Sequence, residues 1–224
     1  MKNHKTYALL IMATWFVASV NAQTINWASL QEQNTHIINT NIGMEYGVIY
    51  GAGYGYQIKN RLFPIVANIE YFFPSGNKVF DDFKVKIGGH IRWIEYRNFQ
   101  FSTKIQGLFR RYENDLVRIM NFGSDMAGVV GYCRPKWFVA GEVGFDKAIV
   151  TNFKHAQQYQ DQYPGVVDGW YEPATGGNFY YGLQAGYSIR KYDIHIKGGN
   201  IITQDFKTKP MLPFYLQLGC NLRF

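Results

Sequence analysis

Residues 214–224 read FYLQLGCNLRF, and their side chains alternate between two kinds. The even positions carry phenylalanine, leucine or cysteine, whereas the odd positions carry tyrosine, glutamine, glycine, asparagine or arginine. Because successive side chains of a β-strand point to opposite faces, the stretch predicts a strand with one apolar and one largely polar face. The same period of two recurs over residues 36–58, 83–93, 99–110, 137–146 and 179–190. Helical spacing is confined to a short stretch around residues 154–163, so the sequence predicts an all-β chain.

The connections between the predicted strands alternate in length. Long ones at 205–213 and 150–178 are separated by short turns such as the one near Lys191. Nine strands result if residues 36–58 form one strand, yet at about 3.3 Å per residue that strand would be roughly 75 Å long. We therefore divide it near Gly47, which preserves the alternation and gives ten strands, with eight as the alternative. The sequence predicts a transmembrane antiparallel up-and-down β-barrel, a class in which an even number of strands is usual.

The N-terminal residues 1–22 have the features of a secretory signal peptide: a basic start, an apolar stretch and a small-residue cleavage site ending at Ala22. We expect residues 23–35 to form a periplasmic N-terminal segment and residues 36–224 to form the barrel. The net charge of +7 would suit a nucleic-acid binder, but an exported protein does not ordinarily meet nucleic acid. No nucleic-acid partner is therefore expected. After Ala22 no apolar run reaches the length of about 20 residues that a spanning helix needs.

A soluble β-sandwich would also alternate, but three features favour the barrel. Nearly every strand has a long apolar face, and the opposite face carries charged side chains that suit a watery or ion-paired interior. Tyrosine and tryptophan accumulate near the strand ends, as in the aromatic girdles of membrane barrels. The chain also stops on an aromatic residue, Phe224, at the end of an alternating strand.

The signal peptide, the repeated amphipathic strands and the final strand ending Leu222-Arg223-Phe224 resemble the small, porin-like outer-membrane β-barrel proteins of Gram-negative bacteria. The resemblance implies a place in the outer membrane of the cell envelope, with outer-membrane lipid and lipopolysaccharide as partners. It also implies assembly by the barrel-assembly machinery, which recognises the terminal aromatic strand, here at Phe224. An outer-membrane protein complex is a further expected partner for an accessory barrel. The resemblance assigns no activity.

The charged side chains that stand between the apolar positions are expected to face the barrel interior. They are Glu45, Glu70, Lys84, Lys86, Arg92, Lys104, Arg110, Glu142, Asp146, Arg190, Lys197 and Arg223. The excess is basic, and two functions remain open: a plug of ion pairs, or a narrow path for small anions. A barrel of about 8 strands is filled by its own side chains, whereas porins with open channels have about 16, so the strand number favours the plug.

The long extracellular loop 150–178 supplies candidate binding residues. Its aromatic side chains are Tyr159, Tyr163, Trp170 and Tyr171, and they stand among acidic residues. Such a loop could recognise a sugar, a peptide or a partner protein, or could fold over the mouth of the barrel. Basic residues at the same rim could pair with lipid phosphates; these are Arg110, Arg111, Arg118, Lys147 and Lys154.

An enzyme is the less expected alternative. The ten-stranded omptin-like outer-membrane proteases place carboxylates and a histidine at the outer mouth, where Asp81, Asp82 and His155 would lie in this chain. No Asp and His pair shares an outer strand end, however, and Asp193 and His195 lie near a short turn on the opposite side. No catalytic residue is therefore assigned.

No metal or cofactor is expected, because Cys133 and Cys220 lack metal-ligand spacing and His90 and His195 are isolated. The sequence predicts a non-enzymatic barrel with a mostly plugged lumen, acting as a surface-binding, structural or accessory subunit. A narrow porin-like channel for small anionic solutes is the alternative.

Overall fold

The computed structural model describes residues 24–30, 35–44, 47–60, 62–75, 81–173, 176–208, 210 and 212–224. The predicted signal peptide, residues 1–22, and one predicted lumen residue, Glu45, lie outside these described residues.

Eleven strands and one short helix follow each other along the described chain. The elements are β1 (His36–Met44), β2 (Val48–Ile58), β3 (Ile65–Pro74), β4 (Asp82–Tyr96), β5 (Phe99–Glu113), β6 (Val117–Arg134), β7 (Trp137–His155), α1 (Gln157–Gln162), β8 (Gly169–Tyr171), β9 (Gly177–Ile189), β10 (Tyr192–Thr203) and β11 (Phe214–Arg223). Ten of the strands, all except β8, pair antiparallel with their neighbours in a closed ring. The first and last strands close it, with Ile37 opposite Arg223 and Met44 opposite Leu216. The predicted ten-stranded antiparallel barrel is therefore confirmed.

Dividing residues 36–58 into two strands was correct. Strand β1 ends at Met44 and β2 begins at Val48, and the two pair along their whole length. Ile42 and Tyr50 are both exposed on the outer face, so the alternation continues across the turn with its parity unchanged. The alternative of eight strands does not hold.

The barrel wall is taller on one side. Strands β6 and β7 have 18 and 19 residues, whereas β1 has 9. Strand β7 continues to His155, so the first residues of the stretch predicted as a loop from 150 to 178 extend the wall instead. The same stretch also contains α1 and β8, and β8 pairs with the upper end of β7. A register shift in β7 opposite Phe122 and Gly123 lies where this extension begins.

Polar side chains fill the interior and apolar side chains cover the outside. Buried residues include Glu70, Lys86 and Asp125, while leucine, isoleucine and valine side chains on the outward face are exposed. Aromatic rings stand at both ends of the outer surface, as in β4, where Phe83 and Trp93 lie ten residues apart. Ten residues at about 3.3 Å each, tilted by about 40°, span a height of about 25 Å. An apolar band of about 25 Å between two aromatic girdles is typical of transmembrane barrels.

Candidate functional site

The centre of the lumen is occupied by a carboxylate that the sequence analysis did not select, Asp125 on β6. Its Oδ2 atom accepts a hydrogen bond from Lys86 Nζ at 2.6 Å and lies 3.4 Å from Lys104 Nζ. Its Oδ1 atom accepts a hydrogen bond from the Tyr180 hydroxyl at 2.6 Å. Asp125 is fully buried, so its charge is balanced by these neighbours rather than by bulk water.

A second carboxylate, Glu142, extends this network across the barrel. Lys197 Nζ donates to both Glu142 oxygens, at 3.0 and 3.1 Å. Lys104 Nζ lies 3.9 Å from Glu142 Oε1 and so links Glu142 to Asp125. Lys104 also stands over the Tyr180 ring, 5.3 Å from its centroid. We call Lys86, Lys104, Asp125, Glu142 and Lys197 the central network; each of these side chains is at most 5% exposed.

Amide groups continue the filling beside the central network. Gln106 Nε2 donates to Glu70 Oε1 at 3.0 Å and to Asn68 Oδ1 at 3.3 Å. Asn68 also donates to Glu70. The predicted inward residues Glu70, Lys86, Lys104 and Glu142 are thus brought together, with each acid held by amide or ammonium donors.

The end of the barrel with the short turns is occupied by residues 24–30, which we call the N-terminal plug. A cavity of about 450 Å³ remains beside Trp27 and Arg92. Trp27 packs against Ile37 and Val66 and is only 6% exposed. The Arg92 guanidinium stands over the Trp27 ring, 5.9 Å from its centroid. Part of the segment that the sequence predicted only as a periplasmic N-terminal stretch therefore fills the barrel.

Hydrogen bonds tie the N-terminal plug to several strands. Asn26 Nδ2 donates to the Arg134 carbonyl and to Ser188 Oγ, both at 3.0 Å. Asn221 Nδ2 donates to the Thr24 carbonyl at 2.6 Å. These hydrogen bonds hold the N-terminal plug in a defined position, in addition to the packing of its buried tryptophan.

An ion pair in the lumen also contacts the N-terminal plug. Arg223 Nε lies 2.9 Å from Asp193 Oδ2, and Arg223 also donates to the Ser29 carbonyl. The Ser29 hydroxyl reaches Asp193 Oδ1 at 3.4 Å. Arg223 points inward next to the terminal Phe224, whose ring stacks on His36 on the outer face.

The opposite end of the lumen, where the longer connections lie, contains a cavity of about 440 Å³, which we call the vestibule. Lys84, Arg110, Asn121 and Asp146 are among its lining residues. Lys84 is buried in the wall, and Arg110 Nη2 lies 3.3 Å from Asp82 Oδ2. Among the predicted lumen residues, Lys84, Arg110 and Asp146 thus belong to the vestibule and not to the central network.

Two of the predicted lumen residues, Arg190 and Arg92, belong neither to the central network nor to the vestibule. Arg190 lies in the turn between β9 and β10 with a φ of 53° and an exposed side chain, so its inward placement was wrong. Strand β9 ends at Ile189, and a residue in the turn after the strand need not obey the alternation of the strand. Arg92 is inward but pairs with Glu95 at 2.8 Å, beside the plug.

The aromatic residues of the stretch 150–178 do not form one site. Tyr159 in α1 and Tyr163 directly after it pack with tilted rings whose centroids are 4.9 Å apart, and Tyr159 also stacks on His155. Tyr171 packs edge-on against Phe153. Trp170 points to the other face of β8, toward the outer girdle residue Phe122 at 6.0 Å. Adjacent residues of a strand face opposite ways, so Trp170 and Tyr171 are separated by β8 itself.

The side chains considered for protease chemistry have local partners. Asp82 pairs with Arg110, and His155 Nδ1 lies 2.8 Å from Asp168 Oδ1. Asp193 belongs to the ion pair beneath the plug.

Within the same described ranges, no three His, Cys, Asp or Glu side chains lie close enough together to hold a metal ion. Both cysteines are free thiols. None of the helices found in the described chain is both long enough and apolar enough to span a bilayer.

Comparisons with known proteins assign no family to the chain. No protein-family model matches the chain, and no curated protein matches it. One similar solved structure is described as "Unveiling the Mechanism Behind the in-meso Crystallization of Membrane Proteins". It is 7% identical, with a TM-score of 0.35, and the match covers 84% of this chain and 83% of that chain.

Proposed function

We propose that this chain is an exported outer-membrane β-barrel with a closed lumen, which acts without catalysis as a surface-binding, structural or accessory subunit. In this proposal residues 1–22 direct export, and the end with the short turns faces the periplasm. The barrel-assembly machinery recognises the last strand through Phe224. Lipid and lipopolysaccharide surround the outer face, and the barrel acts as part of an outer-membrane protein complex.

The outer surface supports the membrane location. It exposes apolar side chains on every part of the barrel wall, such as Ile87 at 58%, Val143 at 65% and Leu183 at 69%. A soluble protein rarely exposes one continuous apolar patch larger than a few hundred Å². Here that surface forms a belt bounded by two aromatic girdles, which matches a bilayer core and its interfaces.

The central network is the observation that carries the closed lumen. Lys86, Lys104 and Lys197 reach inward from different strands, and their ammonium groups meet the carboxylates of Asp125 and Glu142. A solute would have to separate these buried ion pairs, and a buried charge left without its partner is strongly unfavourable. The N-terminal plug adds a second barrier at one end.

Planar-bilayer recording of the purified barrel tests the closed lumen. We expect insertion without stable conductance steps, with insertion verified independently by co-flotation with the lipid. Stable steps that shrink when Lys84, Lys86 and Arg92 are replaced by glutamine would contradict closure. The control replaces Arg134 and Lys136 by glutamine; both are exposed, at the end of β6 and in the turn that follows it.

A narrow path for small anions is the second candidate function, and the vestibule is what favours it. Lys84 and Arg110 contribute a basic wall to this cavity of about 440 Å³. Conductance that rises for chloride over potassium would support the channel, whereas anion binding at the vestibule without conductance would support the closed barrel.

A further inference from the structure

Two cations stand directly opposite each other on the tall side of the barrel. Arg118 on β6 pairs in register with Lys154 on β7, next to the end of the hairpin formed by β5 and β6. Like charges at directly opposed positions of neighbouring strands destabilise a sheet. In the described part of the chain, no ion pair joins either side chain to an acid. The nearest acid in register, Glu113, already pairs with Arg111.

The position of these cations relative to the apolar belt is defined by the sheet register. Phe109 and Phe122 are opposed on the outward face, and their rings lie 4.9 Å apart in the outer girdle. Arg118 is four residues beyond Phe122, on the same outward face. Four residues of a tilted strand rise about 10 Å, which reaches the outer edge of the headgroup region, a layer about 5–8 Å thick on each side of the hydrocarbon core.

The space around the two cations suits a small anion. A cleft of about 180 Å³ is lined by Arg118 and Lys154 together with Asn114, Val117, His155, Ala156 and one acid, Glu113, which is paired with Arg111. Arg118 Nε is buried and finds no hydrogen-bond acceptor among the described residues. An arginine beside a lysine offers several N–H donors to phosphate oxygens, and charge-assisted hydrogen bonds of this kind are about twice as strong as neutral ones.

We propose that Arg118 and Lys154 form a binding site for the phosphate of a phosphorylated glycolipid in the outer leaflet. The inference rests on the proposed membrane location, because that location places the cleft at the outer edge of the lipid headgroups. Phosphate relieves the repulsion between the two cations and supplies the acceptor that Arg118 Nε lacks. The site would hold one glycolipid against the tall wall of the barrel, next to Trp170.

The test measures lipid binding by the detergent-solubilised barrel with native mass spectrometry. The probes are diphosphoryl lipid A, the same lipid after removal of its phosphates, and inorganic phosphate. The test variant is Arg118→Gln with Lys154→Gln, which removes two like charges and should leave the barrel folded. The control variant is Lys136→Gln with Lys191→Gln, which removes two charges from exposed turns at the other end.

The native barrel and the control variant should bind the diphosphorylated lipid on the order of tenfold more tightly than the dephosphorylated lipid. The test variant should lose that preference. Equal loss in both variants would overturn the inference, because it would indicate attraction by net charge alone. Displacement of the lipid by low millimolar inorganic phosphate would also overturn it, because the cleft would then be a site for free anions.

Folding is followed in parallel by heat-modifiable gel migration. A heat-modifiable barrel without a preference for phosphorylated lipid contradicts this inference and leaves the proposed function intact. A chain that stays soluble without detergent contradicts the membrane location, and the inference fails with it.

Discussion

The two halves of the lumen are filled in different ways. Toward the short turns, the central network and the N-terminal plug leave side chains such as Asp125, Lys104 and Trp27 at most 6% exposed. Toward the long connections, the walls separate around the vestibule, and the Arg110 side chain is 33% exposed while paired with Asp82. Apart from a cavity of about 450 Å³ beside Trp27 and Arg92, the first half is a packed polar core, and the second is a partly solvated mouth.

Because of this difference, substitutions in the two halves should change different properties, stability in one half and ligand binding in the other. In the packed half each charge has lost its water and depends on a neighbour, so a substitution there leaves an uncompensated partner. In the vestibule and on the tall wall above it, partly exposed charges such as Arg110 are screened by water, and their contacts are individually weak. We therefore expect substitutions in the packed half to affect folding, and substitutions at the mouth to affect ligand binding with little cost to folding.

Asp125→Asn should produce the largest effect. The substitution leaves Lys86 and Lys104 buried without their main counter-charge, and loss of one partner from a buried ion pair costs about 3–5 kcal/mol. Urea titration of the barrel refolded in lipid vesicles measures the change in the free energy of unfolding. The matched variant at the mouth is Asp82→Asn, which breaks only a partly exposed pair and should cost about 1 kcal/mol or less. Equal losses in the two variants would mean that the two halves do not differ.

Trp27→Ala tests the contribution of the plug. Removing a buried tryptophan from its contacts with Ile37 and Val66 should lower the free energy of unfolding by about 3 kcal/mol. The control is Trp170→Ala at the other end, where the side chain is 57% exposed and the expected cost is under about 1 kcal/mol. Bilayer conductance should remain absent in Trp27→Ala, because the central network still closes the lumen. A Trp27→Ala barrel as stable as the native one would show that the plug is not held by packing.

Gly144→Ala tests how tightly the packed half is filled. A Cβ atom at Gly144 would lie 2.2 Å from the Tyr180 ring, whose hydroxyl is held by Asp125. Overpacking of this kind costs about 1–3 kcal/mol. Gly47→Ala, in the turn between β1 and β2, meets nothing within 4 Å and should be nearly neutral. The same urea titration compares the two, and a neutral Gly144→Ala would indicate that Tyr180 can move aside freely.

The strand number and the direction of most side chains could be predicted because a closed barrel with an apolar outer face and a polar interior requires alternation along each strand. That requirement is strong enough to carry the parity across the turn between Ile42 and Tyr50. It also identified Lys86, Lys104 and Glu142 as inward residues. It did not apply to Arg190, because a residue in a turn does not follow the parity of the strand before it.

The central acid and the plug were missed for different physical reasons. Asp125 lies on β6, where glycines and small residues weaken the alternation, although the outward neighbours Met126 and Val130 would have placed it inward. The burial of Trp27 depends on contacts with strands distant in sequence, which no local pattern reports. The pairing of Arg118 with Lys154 depends on the register between β6 and β7, which the sequence alone does not define.

Acidification should give the smallest effect, confined to the tall wall at the mouth. Asp168 accepts hydrogen bonds from the backbone N–H and the ring of His155, and these hold its pKa below the ordinary value of 3.8. A carboxyl group with a lowered pKa favours the folded arrangement above its ordinary pKa, and this contribution is lost as the pH falls through the lowered value. Below about pH 4 we therefore expect residues 155–168 to loosen while the barrel stays folded.

The measurement is the hydrogen-exchange protection of the His155 amide, corrected for the intrinsic rate at each pH. Asp168→Asn should weaken protection at every pH and remove most of its acid dependence, whereas Asp161→Asn, whose carboxylate bonds only to Gln157 among the described contacts, should behave like the native chain. Undiminished protection of the native chain in acid would show that the loop is held by its stacked rings instead.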